Sequence, residues 1–239
     1  MKKLIMVLVG VFMLANATTS FAETKVTVSL KAWSNDWEEK ASYAGGTSET
    51  FDIGSAVMVG PALNVRFDNN MFAGVTYLAT QSDYEYTVAP DTLSIDRKDL
   101  DLTVGYMFTP RFGMFVGYKN IDASAKYTSP PPVADAFDLT LKGPGIGILG
   151  NIPLTNSVAL YGNLALMSIK EKFEWAGGGT SSSDMVGAST EVGVAVAFSE
   201  AFSGNLGIKF QSFAGEEDEY GDQYTETFSG LTLGLNYTF

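Results

Sequence analysis

The 239-residue sequence contains no cysteine and no histidine. Without cysteine there is no disulfide framework, no thiolate nucleophile and no Cys-based metal site. Without histidine the side chain best suited to proton transfer near neutral pH is missing. A Ser-His-Asp arrangement, a His-Asp protease pair and a His-ligated metal are therefore excluded. A carboxylate pair could still serve glycosidic chemistry. Among 27 acidic residues, however, no pair is singled out by spacing, so no catalytic residue and no cofactor is assigned, and the metal question stays open. Charge is scarce as well: 18% of residues are charged and 46% are hydrophobic. That ratio is thin for a solvated surface and suits an exterior that faces lipid. The formal charge of −12 excludes nucleic acid as a partner, because that needs a basic face.

Long apolar runs are also lacking. Beyond Ala22 no stretch approaches the roughly 18 apolar residues of a transmembrane helix. Gly143-Pro144-Gly145-Ile146-Gly147 is glycine-rich, but no Lys-Ser/Thr and no helix pattern follows, so it is not a nucleotide loop. Glycine there relieves crowding inside a curved sheet.

What the chain does carry begins at its start. Met1-Lys2-Lys3, the short apolar run Leu4 to Ala15 and the small residues of Ser20-Phe21-Ala22 read as a secretory signal peptide over 1–22, cleaved after Ala22. Losing Lys2 and Lys3 leaves 13 basic residues against 27 acidic ones, a mature charge of −14. Residues 23–239 form one domain, with no repeat and no linker.

That domain is a train of alternating segments: Val26 to Ala32, Ile53 to Val65, Leu100 to Phe108, Val158 to Leu166, Val192 to Phe198, Leu206 to Phe210 and Leu231 to Phe239. Period-two alternation gives each strand one apolar and one polar face. Alternation is less clean near 71–82, 113–127 and 138–152, and Gly143-Pro144-Gly145 predicts a bulge or bend that shifts the phase. About ten strands result, with eight and twelve staying open. Asp68-Asn69-Asn70, Thr109-Pro110-Arg111, Pro153 to Asn156 and Ser199-Glu200-Ala201 are tight turns. Between them fall longer loops: 35–50, 82–95, 128–137 with Pro130-Pro131-Pro132, 176–183 and 214–223. Phe67, Phe72, Phe108, Phe112, Phe198, Phe202, Tyr237 and Phe239 gather at the turn ends of the strands. Trp33, Trp37, Tyr84, Tyr86, Tyr127, Phe173 and Trp175 gather at the loop ends, as two interfacial belts would.

Together these features resemble the small bacterial outer-membrane β-barrel proteins, porin-like and opacity-like. The sharpest likeness is the terminal Tyr237-Thr238-Phe239 on an alternating last strand. The resemblance implies an all-β, antiparallel up-and-down transmembrane barrel in the bacterial outer membrane, with short periplasmic turns and longer extracellular loops. It also implies that Tyr237 and Phe239 are read by the barrel-assembly machinery, and that outer-membrane lipids and lipopolysaccharide are partners. The barrel enzymes of this membrane depend on histidine, including the ten-stranded proteases, and this chain has none.

If the apolar faces meet lipid, Lys31, Arg66, Asp99, Asp101, Lys119, Glu191 and Lys209 point into the lumen. Asp99 and Asp101 neighbour the strand of Lys119, and Glu191 neighbours that of Lys209, which predicts interior ion pairs. Two functions fit: a structural or surface-interaction barrel whose lumen is filled by side chains, or a narrow channel for small cationic or neutral solutes. Outside the barrel, Glu216, Glu217, Asp218, Glu219 and Asp222 form an acidic last loop, and Asp36, Glu38 and Glu39 an acidic first loop. Their carboxylates make divalent cations candidate partners.

Overall fold

The computed structural model describes residues 24–88, 90–129, 134–217 and 221–239. The expected signal peptide, the triple proline at 130–132, Asp218 and Glu219 lie outside the described residues. Alternation dominates what is described, and every element is a strand: β1 (Lys25–Ser42), β2 (Ser48–Arg66), β3 (Met71–Thr80), β4 (Tyr84–Val88), β5 (Asp91–Thr109), β6 (Phe112–Ser129), β7 (Ala134–Pro153), β8 (Val158–Trp175), β9 (Thr180–Ala197), β10 (Phe202–Gly215) and β11 (Gln223–Thr238). Neighbours in sequence pair antiparallel, and β1 pairs with β11 from Thr27↔Thr238 to Ser42↔Gln223, which closes the sheet. Successive β3 and β4 both pair with β5, at 98–106 and 91–95, so together they make one interrupted stave. The barrel therefore has the expected ten staves.

The outer wall shows where a bilayer fits. On each stave the outward side chains are apolar for only part of the length: Val28 to Ala32 on β1, Val57 to Val65 on β2, Leu100 to Phe108 on β5, Pro144 to Ile152 on β7, Val158 to Leu166 on β8 and Leu231 to Phe239 on β11. Leu166 is 64% exposed and Val186 68%, values that water alone would penalise. Most of these runs cover about 26–33 Å along the strand. At a tilt near 40° that is about 20–25 Å of height, the thickness of an outer-membrane apolar band. Above this level the outward positions turn polar: Ser34, Asp36 and Glu38 on β1, Asp96 and Lys98 on β5, Asp122 on β6, Lys142 on β7, Lys170 and Lys172 on β8, and Thr225 to Ser229 on β11. The strands rise roughly 20 Å beyond the band, since eight further residues add that height.

The inward face changes in the opposite sense at the same level. Inside the band it carries Ser29, Lys31, Asp101, Thr103, Asn163, Glu191, Asn205 and Asn236. Above the band it carries Trp37, Tyr84, Ile95, Ile121, Leu139, Leu141, Ile169, Met185, Phe213 and Phe228, all buried in one apolar cluster. β1, β5, β7, β8 and β11 keep their parity across this level but exchange which parity is greasy, while β2 is shifted by one residue at a bulge. The lower barrel is built for lipid outside, and the upper barrel like a water-soluble one.

This exchange corrects four expectations. The β7 ladder with β6 keeps its register through Tyr118↔Pro144, so Gly143-Pro144-Gly145 is neither bulge nor bend. Leu139 and Leu141 point in while Ile146 and Ile148 point out, and that swap mimics a phase shift. Gly143 is required for another reason, because a Cβ there would stand 1.9 Å from the Ser168 carbonyl oxygen. A bulge does occur in β2 opposite Trp37/Glu38, at Gly54 (φ +108°), and it turns Ile53 into the core rather than toward lipid. The long loops are mostly strand: β1 runs to Ser42 and β2 starts at Ser48. Finally, Trp33, Trp37, Tyr84, Tyr86, Phe72 and Phe173 face the interior, so they are not interfacial rings; Tyr77, Tyr118 and Phe210 hold the upper membrane edge.

Candidate functional site

The interior divides into a polar chamber at membrane level and a packed layer above it. The chamber has a volume of about 420 Å³, room for roughly a dozen waters. Exposed Asn64 marks its periplasmic mouth, and buried Trp33, Leu78 and Met167 stand at its inner end.

Staves β5, β6 and β10 supply its charges. Asp101 on β5 lies opposite Lys119 on β6, and the Lys119 ammonium donates to its Oδ1. Lys209 Nζ on β10 stands 3.6 Å from the other oxygen, across the bore, and lies 4.4 Å above the Trp33 ring. One carboxylate thus joins two lysines, and Lys31 lines the same space. Glu191 is the register neighbour of Lys209 but pairs differently: it accepts from the Tyr161 hydroxyl at 2.7 Å and the Thr232 hydroxyl at 3.0 Å. Asn205 donates to Tyr161, and Asn236 to Asn205, both at 3.2 Å. Arg66 is exposed at the periplasmic end of β2, away from the cluster.

Asp99 pairs with a residue the sequence reading passed over. Arg97, two places earlier on the same inward parity, donates to both Asp99 oxygens at 2.8 and 2.9 Å, and both side chains are essentially unexposed. The guanidinium lies 3.9 Å from the Phe228 ring centroid and 5.5 Å from that of Trp33. Extending the odd-numbered row Asp101, Asp99 one step back would have found it. Above this pair, Trp37 packs on Tyr84 and Phe228 with centroids 5.5 and 5.4 Å apart, and its indole N–H donates to Glu226. Glu226 stands above the lipid band, level with outward Thr225 and Thr227. It is 4% exposed, and burial, then repulsion from Glu39, pushes its carboxyl up to about 8.

Of the acidic loop residues, Glu216 and Glu217 are exposed, and Asp222 accepts from the Ala44 amide at 3.2 Å, tying the last loop to the first hairpin tip. Asp36 and Glu38 point outward on β1 whereas Glu39 points in, so they form no common cluster and lie on a strand rather than in a loop. Among the described residues no group of three or more carboxylates is placed to hold a metal ion. Tyr237 and Phe239 stand half-exposed on the outer wall, ring centroids 4.8 Å apart, and the Phe239 amide donates to the Val26 carbonyl across the closing seam.

Known structures share this architecture. The outer membrane protease OmpT of Escherichia coli superimposes with a TM-score of 0.57 at 13% identity, over 91% of this chain and 97% of that one. Neisserial surface protein A gives 0.39 at 14% identity, covering 90% and 97%. The attachment invasion locus protein Ail of Yersinia pestis gives 0.30 at 12%, covering 91% and 99%. At these identities the likeness is one of fold, and of these three OmpT alone is close enough to carry that. No curated protein matches the sequence. Residues 91–239, more than half of the chain, match the outer membrane protein beta-barrel domain. With the closed ten-stave wall and its bilayer-high apolar band, the chain belongs to the outer-membrane β-barrel family and resides in the bacterial outer membrane.

Proposed function

We propose that this barrel is a non-enzymatic structural or surface-interaction protein whose lumen is filled by its own side chains. The observation that carries this is the unexposed Arg97–Asp99 pair, clamped between Trp33 and Phe228 beneath the packed layer of Trp37, Tyr84, Phe213 and Met185. A solute entering from the periplasm would reach the chamber and then meet a charge pair and apolar side chains rather than a hydrated path. Removing either partner leaves a buried unpaired charge, so thermal motion alone does not open this layer. The roughly 20 Å of barrel above the membrane, carrying the loops, is the surface offered to partners. The absence of histidine supports a role other than the proteolysis named for the OmpT structure.

The remaining roles follow the same reading. Residues 1–22 direct export, and the rings of Tyr237 and Phe239 present the last strand to the assembly machinery. Glu216 and Glu217 stay available to divalent cations that bridge to lipopolysaccharide phosphates. Planar-bilayer recording tests the lumen. The purified barrel gives no discrete conductance steps in molar KCl, and resolvable steps or swelling of liposomes in a small sugar would establish the channel instead.

A further inference from the structure

In a chain with 15 basic and 27 acidic residues, a lysine at the surface is expected to sit beside a carboxylate. On the outer wall Lys98 does so with Asp96 at 2.9 Å, Lys172 with Glu174 at 2.9 Å and Lys126 with Asp135 at 3.8 Å. Among the described residues exposed Lys25 and Lys40 have no such partner, and neither do Lys142 and Lys170. The latter two are directly opposite each other across β7 and β8, both exposed, and among the described residues neither forms an ion pair. Like charges directly opposed on a sheet cost stability unless an anion sits between them. Their other cross-strand neighbours are Asn120, beside Lys142, and Asp184, beside Lys170 but not within ion-pair distance of it.

Directly below, at the top of the apolar band, lies a shallow groove of about 710 Å³ formed by Pro144, Ile146, Leu166, Ser168, Val186 and Ala188. Small side chains such as Pro144 and Ala188 make it. The wall over β7, β8 and β9 carries no outward ring until Phe198, just past the end of β9. Its outward band positions, 144–152, 158–166 and 186–196, hold no ring, and neither do those of β1 and β2, whereas β3, β5, β6, β10 and the C-terminal strand carry Tyr77, Tyr106, Phe108, Phe112, Tyr118, Phe202, Phe210, Tyr237 and Phe239. Rings anchor a barrel among generic headgroups. Two opposed cations at headgroup level with an acyl-sized groove beneath them shape this wall for one particular lipid.

We propose that Lys142 and Lys170 hold a phosphate of a phosphorylated outer-leaflet glycolipid, with one of its acyl chains in the groove below. Two ammonium groups on adjacent strands can converge on a single phosphate, which lysine binds as a point charge. The groove makes a lipid the occupant rather than free phosphate.

The test is native mass spectrometry of the full chain in detergent micelles, titrated with diphosphoryl lipid A. One lipid A per barrel is retained. The K142Q/K170Q double variant weakens retention at least tenfold, whereas K98Q leaves it unchanged. Dephosphorylated lipid A and phosphatidylethanolamine bind the wild type no better than they bind the double variant. Ala188→Trp, which fills the groove, weakens lipid A binding with both lysines in place. Millimolar inorganic phosphate does not displace the lipid. Circular dichroism and resistance to heat in the same detergent show that each variant is folded. Equal retention by wild type and K142Q/K170Q overturns the headgroup site. An unaffected Ala188→Trp, or complete displacement by inorganic phosphate, overturns the glycolipid as its occupant.

Discussion

Stave β7 offers the sharpest perturbation, because three of its residues within nine positions meet three different environments. Ile148 is outward at the middle of the apolar run 144–152, Thr140 is outward above it, and Leu141 is inward and fully buried in the upper core. Arginine at a bilayer midplane costs about 2–4 kcal/mol, so Ile148→Arg loses that much. Thr140→Arg faces water and changes stability by no more than about 0.5 kcal/mol. Leu141→Ala leaves a cavity among Ile121, Leu139 and Ile169 and costs about 3 kcal/mol, within the usual range for a buried leucine. Urea unfolding in phospholipid vesicles, followed by tryptophan fluorescence, reads all three. With a slope of about 1–3 kcal/mol/M, the two destabilised variants shift the midpoint down by about 1–3 M. In a barrel with a hydrated lumen throughout, Leu141→Ala would be nearly silent. That outcome, or a Thr140→Arg as costly as Ile148→Arg, would refute the exchange of polarity along the strand.

Three further outcomes follow from the interior and the seam. Arg97→Met strands Asp99 as a buried charge and lowers stability by about 3–5 kcal/mol, while the Arg97→Met/Asp99→Leu pair recovers most of the loss; a double-mutant cycle of the same unfolding transitions checks this. Glu226 holds its proton more tightly when folded, with its folded value near 8 against an ordinary value of 4.5, so the folded state binds more protons across that window. Stability therefore falls as pH rises from about 4.5 to 8, and Glu226→Gln flattens the dependence; a slope the same in this variant as in the wild type would assign it to other groups. Phe239→Ala, which removes one terminal ring but keeps the seam hydrogen bond of the backbone, reduces the protein recovered in outer-membrane fractions by several-fold, and wild-type recovery would deny that ring a part in assembly.

The fold was readable where one strand face keeps one polarity for its whole visible run. Leu231 to Phe239 is such a run, and so is Leu100 to Phe108, because both lie wholly inside the lipid band. The turns at 68–70 and 110–111 were readable because Asn, Asp and Pro announce themselves. Where a strand crosses out of the membrane the same rule misled. On β7 the greasy parity passes from Leu139 and Leu141 to Ile146 and Ile148 without any change of register, and a single-phase reading has to invent a bulge. The large rings at Trp33, Trp37 and Tyr84 look like an interfacial belt by position along the chain, yet they follow the inward parity and build the upper core. Inward parity does place Lys31, Asp101, Lys119 and Lys209 around one chamber. It cannot tell which carboxylate each lysine meets across the bore, because Lys209 reaches past its register neighbour Glu191 to Asp101. That choice depends on barrel curvature, which no local pattern records.

The level at which lipid gives way to water is measurable on β1, since a chain without cysteine accepts single spin labels one at a time. Labels at Val28→Cys, Leu30→Cys, Ala32→Cys, Ser34→Cys, Asp36→Cys and Glu38→Cys in bilayers report their relative accessibility to oxygen and to a water-soluble nickel chelate. Oxygen dominates at 28, 30 and 32 and the nickel chelate at 34, 36 and 38, with the crossover between Ala32 and Ser34. Oxygen dominance persisting to Glu38, or nickel access already at Leu30, would contradict a membrane boundary at the point where the strand exchanges its greasy side.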